Sequence, residues 1–427
     1  MPDNQSFPLS ICNGEGVIMS RSAAKAMHVL ETISLYIHIP FCHKKCHYCD
    51  FNSYAGMLGW RTPYVRALIR EIALVGQAAR LPDGTPRRCR TIFFGGGTPS
   101  LLRPKEVAAI LQAAREAFVV DAEAEITLEA NPGTLEYNHL DALRATGVNR
   151  LSMGAQSFDA DLLRWMGRIH SPTEIVTATE AARAAGFANL NLDFIFGLPD
   201  QTMAQWAETL DRALALAPDH LSLYSLIVEP TTPLFDWVEA GTVTPADEDL
   251  AADMYLMAQE RMAATNYAQY EISNWAQAGH TCDHNLTYWR NLPYLGVGAG
   301  AHSFFAGRRF ANLRPVEEYV AALHSGWEPT AATVGLVGGP VESSETLDDA
   351  TERSQTAILA LRLNEGLDLA AFAERFGVSF EATFGERITR HLGWGLVEYV
   401  TDAQGTPRLR LTERGRPVGN EVFEQFL

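Results

Sequence analysis

Between residues 33 and 227, short apolar runs rich in β-branched and aromatic residues alternate with longer stretches in which apolar positions recur at intervals of three and four. The runs are 34–41 (SLYIHIPF), 91–95 (TIFFG), 125–130 (EITLEA), 150–156 (RLSMGAQ), 190–197 (LNLDFIFG) and 221–227 (LSLYSLI). The intervening segments, such as 62–81 and 103–118, read as amphipathic helices, and Thr202 stands where an N-cap belongs. This rhythm predicts repeated parallel βα units. The units are too few to close a barrel, so the expected fold is α/β, a partial (βα)6 TIM-like barrel. Each run carries its glycine or polar residue at its C-terminal end, the rim where βα loops gather and ligands bind.

After Pro230 the rhythm stops. A helical pattern over 247–266 leads into a region rich in aromatics, glycine and histidine, and then into a stretch of Gly, Pro, Ser and Thr without a period. Two further amphipathic patterns, 351–363 and 369–376, precede the β-rich runs 395–400 and 408–412. The expected organisation is an N-terminal extension (1–32, with Cys12 as an incidental thiol), the barrel (33–245), a helical and aromatic-rich region (246–326), a linker (327–350) and a winged-helix-like domain (351–427).

A formal net charge of −17 excludes a nucleic-acid partner, because phosphate binding needs a basic face. No apolar run is long enough to span a bilayer and no signal peptide is recognisable, so the expected setting is the cytoplasm.

Three of the six cysteines, Cys42, Cys46 and Cys49, follow the first β-run in the spacing C-x3-C-x2-C. An odd number of thiols in a chain with no sign of secretion does not read as a disulfide. A zinc knuckle that borrows a distant ligand is one reading, chance another, and three corners of an iron–sulfur cluster a third.

The spacing after a β-strand resembles the radical S-adenosylmethionine (SAM) superfamily, in which three cysteines hold a 4Fe–4S cluster and the open iron chelates SAM. The wider stretch Tyr36-Ile-His-Ile-Pro-Phe-Cys42 resembles a narrower group, the oxygen-independent coproporphyrinogen III oxidases and their haem-chaperone relatives of the HemW type. By that resemblance Gly96, Gly97 and Thr98 of the GGGTP turn hold the methionine end of SAM. Glu129, Gln156, Arg168 and Asp193 fall at its other contacts, Arg168 suiting the carboxylate and the acids the ribose hydroxyls. Tyr36 and Tyr48 would flank the cluster and adenine, and Ile227 would pack on them.

Two features separate the branches of the group. Phe51 stands where the resembled oxidases carry a further cysteine. His284-Asn-Leu-Thr-Tyr288-Trp289 is similar to the HNxxYW motif of the haem chaperones, with His284 as candidate haem ligand and Tyr288 and Trp289 as apolar neighbours; Cys282 and His302 compete for the iron. The resemblance therefore implies a chaperone that binds haem and passes it to acceptor haem proteins, including some at the membrane surface. The alternative is an enzyme that decarboxylates coproporphyrinogen III or methylates another substrate. The electron donor is not readable from the sequence.

Overall fold

A computed structural model describes residues 31–427, together with the backbone of two short strands at Ile11–Cys12 and Ile18–Met19. Up to residue 30 the expected extension at 1–32, including the Cys12 side chain, otherwise lies outside the described residues, and its last residue, Thr32, begins the first central strand. The described chain divides into two compact units, one formed by 34–286 and 294–346 and the other by 31–33, 287–293 and 347–427.

The first unit is built on one twelve-stranded sheet. Its centre holds the six expected strands: β1 (Thr32–Ile39), β2 (Arg88–Gly96), β3 (Val119–Ala130), β4 (Arg150–Gln156), β5 (Asn189–Phe196) and β6 (His220–Ser225). Strands β2 to β6 pair in parallel in chain order, and β1 lies beside β2. In β1 alternate residues divide by face: Ile33, Leu35, Ile37 and Ile39 are buried side chains of one face, while Ser34, Tyr36 and His38 share the other. The helices that cover the sheet start where the sequence indicates. Thr202 and Gln205 form a capping box at Met203–Ala215, and Ser171 and Glu174 form another at Pro172–Ala184.

The sheet extends beyond the expected barrel at both edges. Antiparallel β7 (Ala268–Glu271) and β8 (Asn274–Ala276) add next to β6. At the other edge β9 (Tyr294–Val297) pairs in parallel with β1, and antiparallel β10 (His302–Phe305), β11 (Arg308–Asn312) and β12 (Val341–Thr346) follow. Residues 246–326 are therefore not a region apart, and the expected linker at 327–350 holds an edge strand. Its sequence VESSET has little apolar surface to bury, as suits a strand paired on one side only. Among the described residues the sheet has two free edges and does not close.

The second unit carries helix Asp349–Ala360, β13 (Leu367–Asp368), helices Leu369–Phe376 and Phe380–Gly393, and the hairpin β14 (Val397–Thr401) and β15 (Pro407–Leu411). Phe372, Phe380, Phe384 and Phe426 form its aromatic core. Residues 287–293 join this packing: Asn291 donates to Thr356 Oγ1 at 3.0 Å, and the Arg362 guanidinium lies 4.6 Å above the Trp289 ring.

Candidate functional site

The C-terminal end of β1 runs through Pro40 into Phe41–Cys42, which pairs in parallel with Tyr54–Ala55. This pairing closes the base of a loop that carries Cys46 and Cys49. His47 fastens the loop on one side, its backbone N–H donating to the Met166 carbonyl at 3.1 Å and its Nδ1 to the Trp165 carbonyl at 2.7 Å. Its own carbonyl accepts from Leu234 N–H at 2.9 Å. Asn52 fastens the other side by donating from Nδ2 to the carbonyls of Ala299 and Arg314, both at 2.9 Å.

Each thiol of the loop has a polar neighbour. Cys42 Sγ lies 3.6 Å from Thr98 Oγ1, Cys49 Sγ lies 3.9 Å from Ser53 Oγ, and Cys46 Sγ accepts from Arg168 Nη1 at 3.4 Å. Burial and the neighbouring thiols push Cys49 up to about 11, and the same causes raise Cys42. Thiols gathered on one loop, two of them held back from ionising, suit a positively charged group that all of them can bind. Among the described residues no three His, Cys, Asp or Glu side chains gather tightly enough to hold a single metal ion. A cubane takes each sulfur on a different iron and does not need them that close.

The glycine run explains how β2 comes so near this loop. A Cβ on Gly95 would stand 2.9 Å from the Tyr36 ring, one on Gly96 2.6 Å from the His38 ring, and one on Gly97 2.7 Å from the Phe41 carbonyl and 3.1 Å from Cys42 Sγ. Gly96 also has φ +114°, a conformation open to glycine. Its N–H donates to Glu129 Oε2 at 3.1 Å. Burial, reinforced by the charge of Asp193, pushes the Glu129 carboxyl up to about 8. Asp193 accepts from Asn191 Nδ2 at 2.7 Å and from Ser152 Oγ at 3.4 Å, and burial raises it as well.

On the next strand Gln156 sits at φ 67°, strained for a residue other than glycine, and its buried Oε1 has no hydrogen-bond partner. Arg168 donates from Nη2 to the Gly154 carbonyl at 2.6 Å, while its buried Nε is also without a partner. Two orphaned polar atoms, one at the end of β4 and one on the side chain that reaches Cys46, fit a polar ligand, since a buried group left unpaired costs about 1–3 kcal/mol.

The radical SAM superfamily pattern matches residues 36–213, and that of the HemN C-terminal domain matches 347–418. The haem chaperone HemW of Bacillus subtilis is 37% identical over 399 residues, which cover 92% of this chain and 99% of that protein. The chain belongs to the HemW family of radical SAM proteins. The haem chaperone HemW of Escherichia coli is 42% identical over 278 residues, 64% of this chain and 70% of that one. Among solved structures, the radical SAM coproporphyrinogen III oxidase (HemN) of Escherichia coli has a TM-score of 0.75 at 25% identity, covering 94% of this chain and 92% of that one. Membership implies a 4Fe–4S cluster and SAM.

The remaining residues singled out by the family pattern are less uniformly placed. Tyr36 lies deep, its hydroxyl 3.1 Å from His38 Nδ1, with Phe93 stacked at 6.2 Å. Tyr48 has the Arg168 guanidinium and the Cys46 and Cys49 thiols as neighbours, and burial raises its phenol. Ile227 is 64% exposed in the loop after β6, and Phe51 is 60% exposed. His284 is only 1% exposed; its Nδ1 lies 2.7 Å from Thr91 Oγ1, its ring stacks on Phe93 at 5.0 Å, and burial lowers it to about 3. Glu125 caps its helix, accepting the N–H groups of Asp283 at 3.1 Å and His284 at 3.0 Å. Cys282 is buried and donates to the same carboxylate at 3.5 Å. The HNxxYW residues thus divide between the units, His284 packing with the sheet and Trp289 with the C-terminal unit.

Sequence reasoning missed His47, Asn52 and the part played by His38. His38 Nε2 donates to the Asn52 carbonyl at 2.8 Å, which leaves Nδ1 to accept from Tyr36. Burial lowers His38 to about 4, so the neutral ring serves this chain of bonds.

Proposed function

We propose that the protein is a haem chaperone that binds haem and hands it to acceptor haem proteins, some of them at the membrane surface. In this reading it also carries a 4Fe–4S cluster and SAM. The observation that carries the reading is a family resemblance over nearly the whole chain, with the three thiols on one fastened loop beside unpaired polar atoms. No helix among the described residues is long and apolar enough to cross a membrane.

Cys42, Cys46 and Cys49 would hold the cluster. Gly96, Gly97, Thr98, Glu129, Gln156, Arg168 and Asp193 would take the polar parts of SAM, with Tyr36, Tyr48 and Ile227 around them. When bound, the pair supplies one-electron chemistry at a sulfonium centre. The chain's own part is to position it. Arg168 sets a fixed positive charge against the Cys46 sulfur, and Gln156 at the end of β4 has a carbonyl oxygen still without a partner. Glu129, held largely protonated near neutral pH, can donate as well as accept. His284 is the family's candidate for the haem iron, and as a neutral imidazole it is in the protonation state that ligates.

The test is a titration of haem into anaerobic, cluster-loaded protein, followed by the Soret band, with His284→Ala alongside. A saturable spectral change is expected, and its absence would remove the reading. A second reading, oxidative decarboxylation of coproporphyrinogen III, is favoured by the likeness to HemN and opposed by Phe51. Supplying coproporphyrinogen III, SAM and a reductant is expected to give no protoporphyrinogen IX; turnover would reverse the order of the two.

A further inference from the structure

The chain has only four lysines, Lys25, Lys44, Lys45 and Lys105, against thirty arginines. Two of the four are adjacent, and they lie between the cluster cysteines Cys42 and Cys46. His43, Lys44 and Lys45 are all exposed. Lys45 Nζ donates to the Phe51 carbonyl at 3.3 Å, which ties the cationic turn to a phenylalanine whose side chain is turned to solvent. Asp50 is the single acid between Cys42 and Ser53. The other sides of the thiols are closed by Thr98, Arg168 and Ser53.

We propose that His43, Lys44, Lys45 and Phe51 form the docking face for a small acidic redox protein that carries a reduced flavin or iron–sulfur centre and delivers one electron to the cluster. The inference rests on the cluster and not on haem. An exposed aromatic ring beside a cationic rim has the anatomy of a compact docking site. A net charge of −17 opposes an acidic partner overall, so a local cationic turn at the cysteine loop both attracts and orients it. The location suits the chemistry, because this exposed turn is the backbone that joins two of the cysteines that would hold the cluster. In the transfer the donor is oxidised by one electron and the cluster reduced by one, with no bond made or broken.

The test follows cluster bleaching by stopped flow in the full-length, cluster-reconstituted protein, with two reductants: a photoreduced acidic flavodoxin as the probe protein and a photoreduced deazaflavin as the small molecule. In the Lys44→Glu/Lys45→Glu variant the second-order rate with flavodoxin at low salt is expected to fall about tenfold or more, and its dependence on ionic strength to disappear. Phe51→Ser is expected to slow the flavodoxin reaction several-fold. Deazaflavin rates and iron content stay unchanged in both variants. Equal flavodoxin rates in wild type and charge-reversed protein would overturn the proposal. So would a parallel fall with both reductants, which assigns the lysines to cluster integrity instead.

Discussion

The Nη1 of Arg168 stands 3.4 Å from the sulfur of Cys46, and the same guanidinium holds the Gly154 carbonyl through Nη2 at 2.6 Å. One buried cation therefore links the cluster loop to the end of β4. Hydrogen bonds and positive charge at a ligating sulfur favour the reduced cluster. Arg168→Met is expected to lower the cluster's reduction potential by on the order of tens of millivolts, measured by anaerobic redox titration. An unshifted potential would show that the contact has no electronic consequence.

Gly97 makes a steric prediction on the opposite side of the loop. Alanine there would put a methyl 2.7 Å from the Phe41 carbonyl and 3.1 Å from Cys42 Sγ, neither of which is the free end of a flexible side chain. Gly97→Ala is expected to fold but to load substantially less iron, whereas Gly59→Ala, with nothing within 4 Å of the added carbon, should load normally. Iron and sulfide analysis after anaerobic reconstitution distinguishes them.

Asn52 predicts cluster lability without loss of fold. Replacing it by alanine removes two donations, to Ala299 and Arg314, each worth about 1 kcal/mol, and leaves the backbone bond from His38 in place. The variant should lose iron to a chelator several-fold faster than wild type while its far-ultraviolet circular dichroism is unchanged. An unaltered rate of iron loss would show that these two donations do not hold the loop.

The pH dependence of the metal-free protein tests the buried carboxyls. Glu71 accepts from Gly298 N–H at 2.7 Å, Asn312 Nδ2 at 2.7 Å and the Tyr319 hydroxyl at 2.5 Å, yet burial still lifts it to about 7; Glu129 is lifted to about 8. A carboxyl whose pKa is higher in the fold than in the unfolded chain binds its proton more tightly when folded. Its contribution to stability is therefore full at low pH and is lost as pH rises from the ordinary 4.5 through 7 for Glu71 and 8 for Glu129. For Glu71 alone the loss is about 3 kcal/mol. Denaturation midpoints should fall across that window, and Glu129→Gln should make the decline shallower. A flat profile in the wild-type protein would contradict the shifts.

The six central strands were legible because each carries enough apolar alternation to be recognised by itself. Strand β9 was not: YLGV is four residues long, contains a glycine and is a strand only because β1, far back in the chain, lies beside it. Strand β12 is not legible as a strand because an edge strand with one paired side can be as polar as VESSET. The same division runs through the site. The thiols and the glycine run announce themselves by spacing, and Arg168 by its place in the family pattern. His47 and Asn52 bind backbone carbonyls of Trp165, Ala299 and Arg314, which any residue would present, so no pairing of side-chain types could reveal them.

The central claim is a cluster held by Cys42, Cys46 and Cys49 with one iron left open to SAM. Electron paramagnetic resonance of the reduced, reconstituted protein, recorded with and without SAM, tests it most directly. The account predicts a 4Fe–4S signal whose g-values shift when SAM is added and which is absent in Cys46→Ala. A spectrum indifferent to SAM, or a full signal in the Cys46→Ala protein, would contradict it.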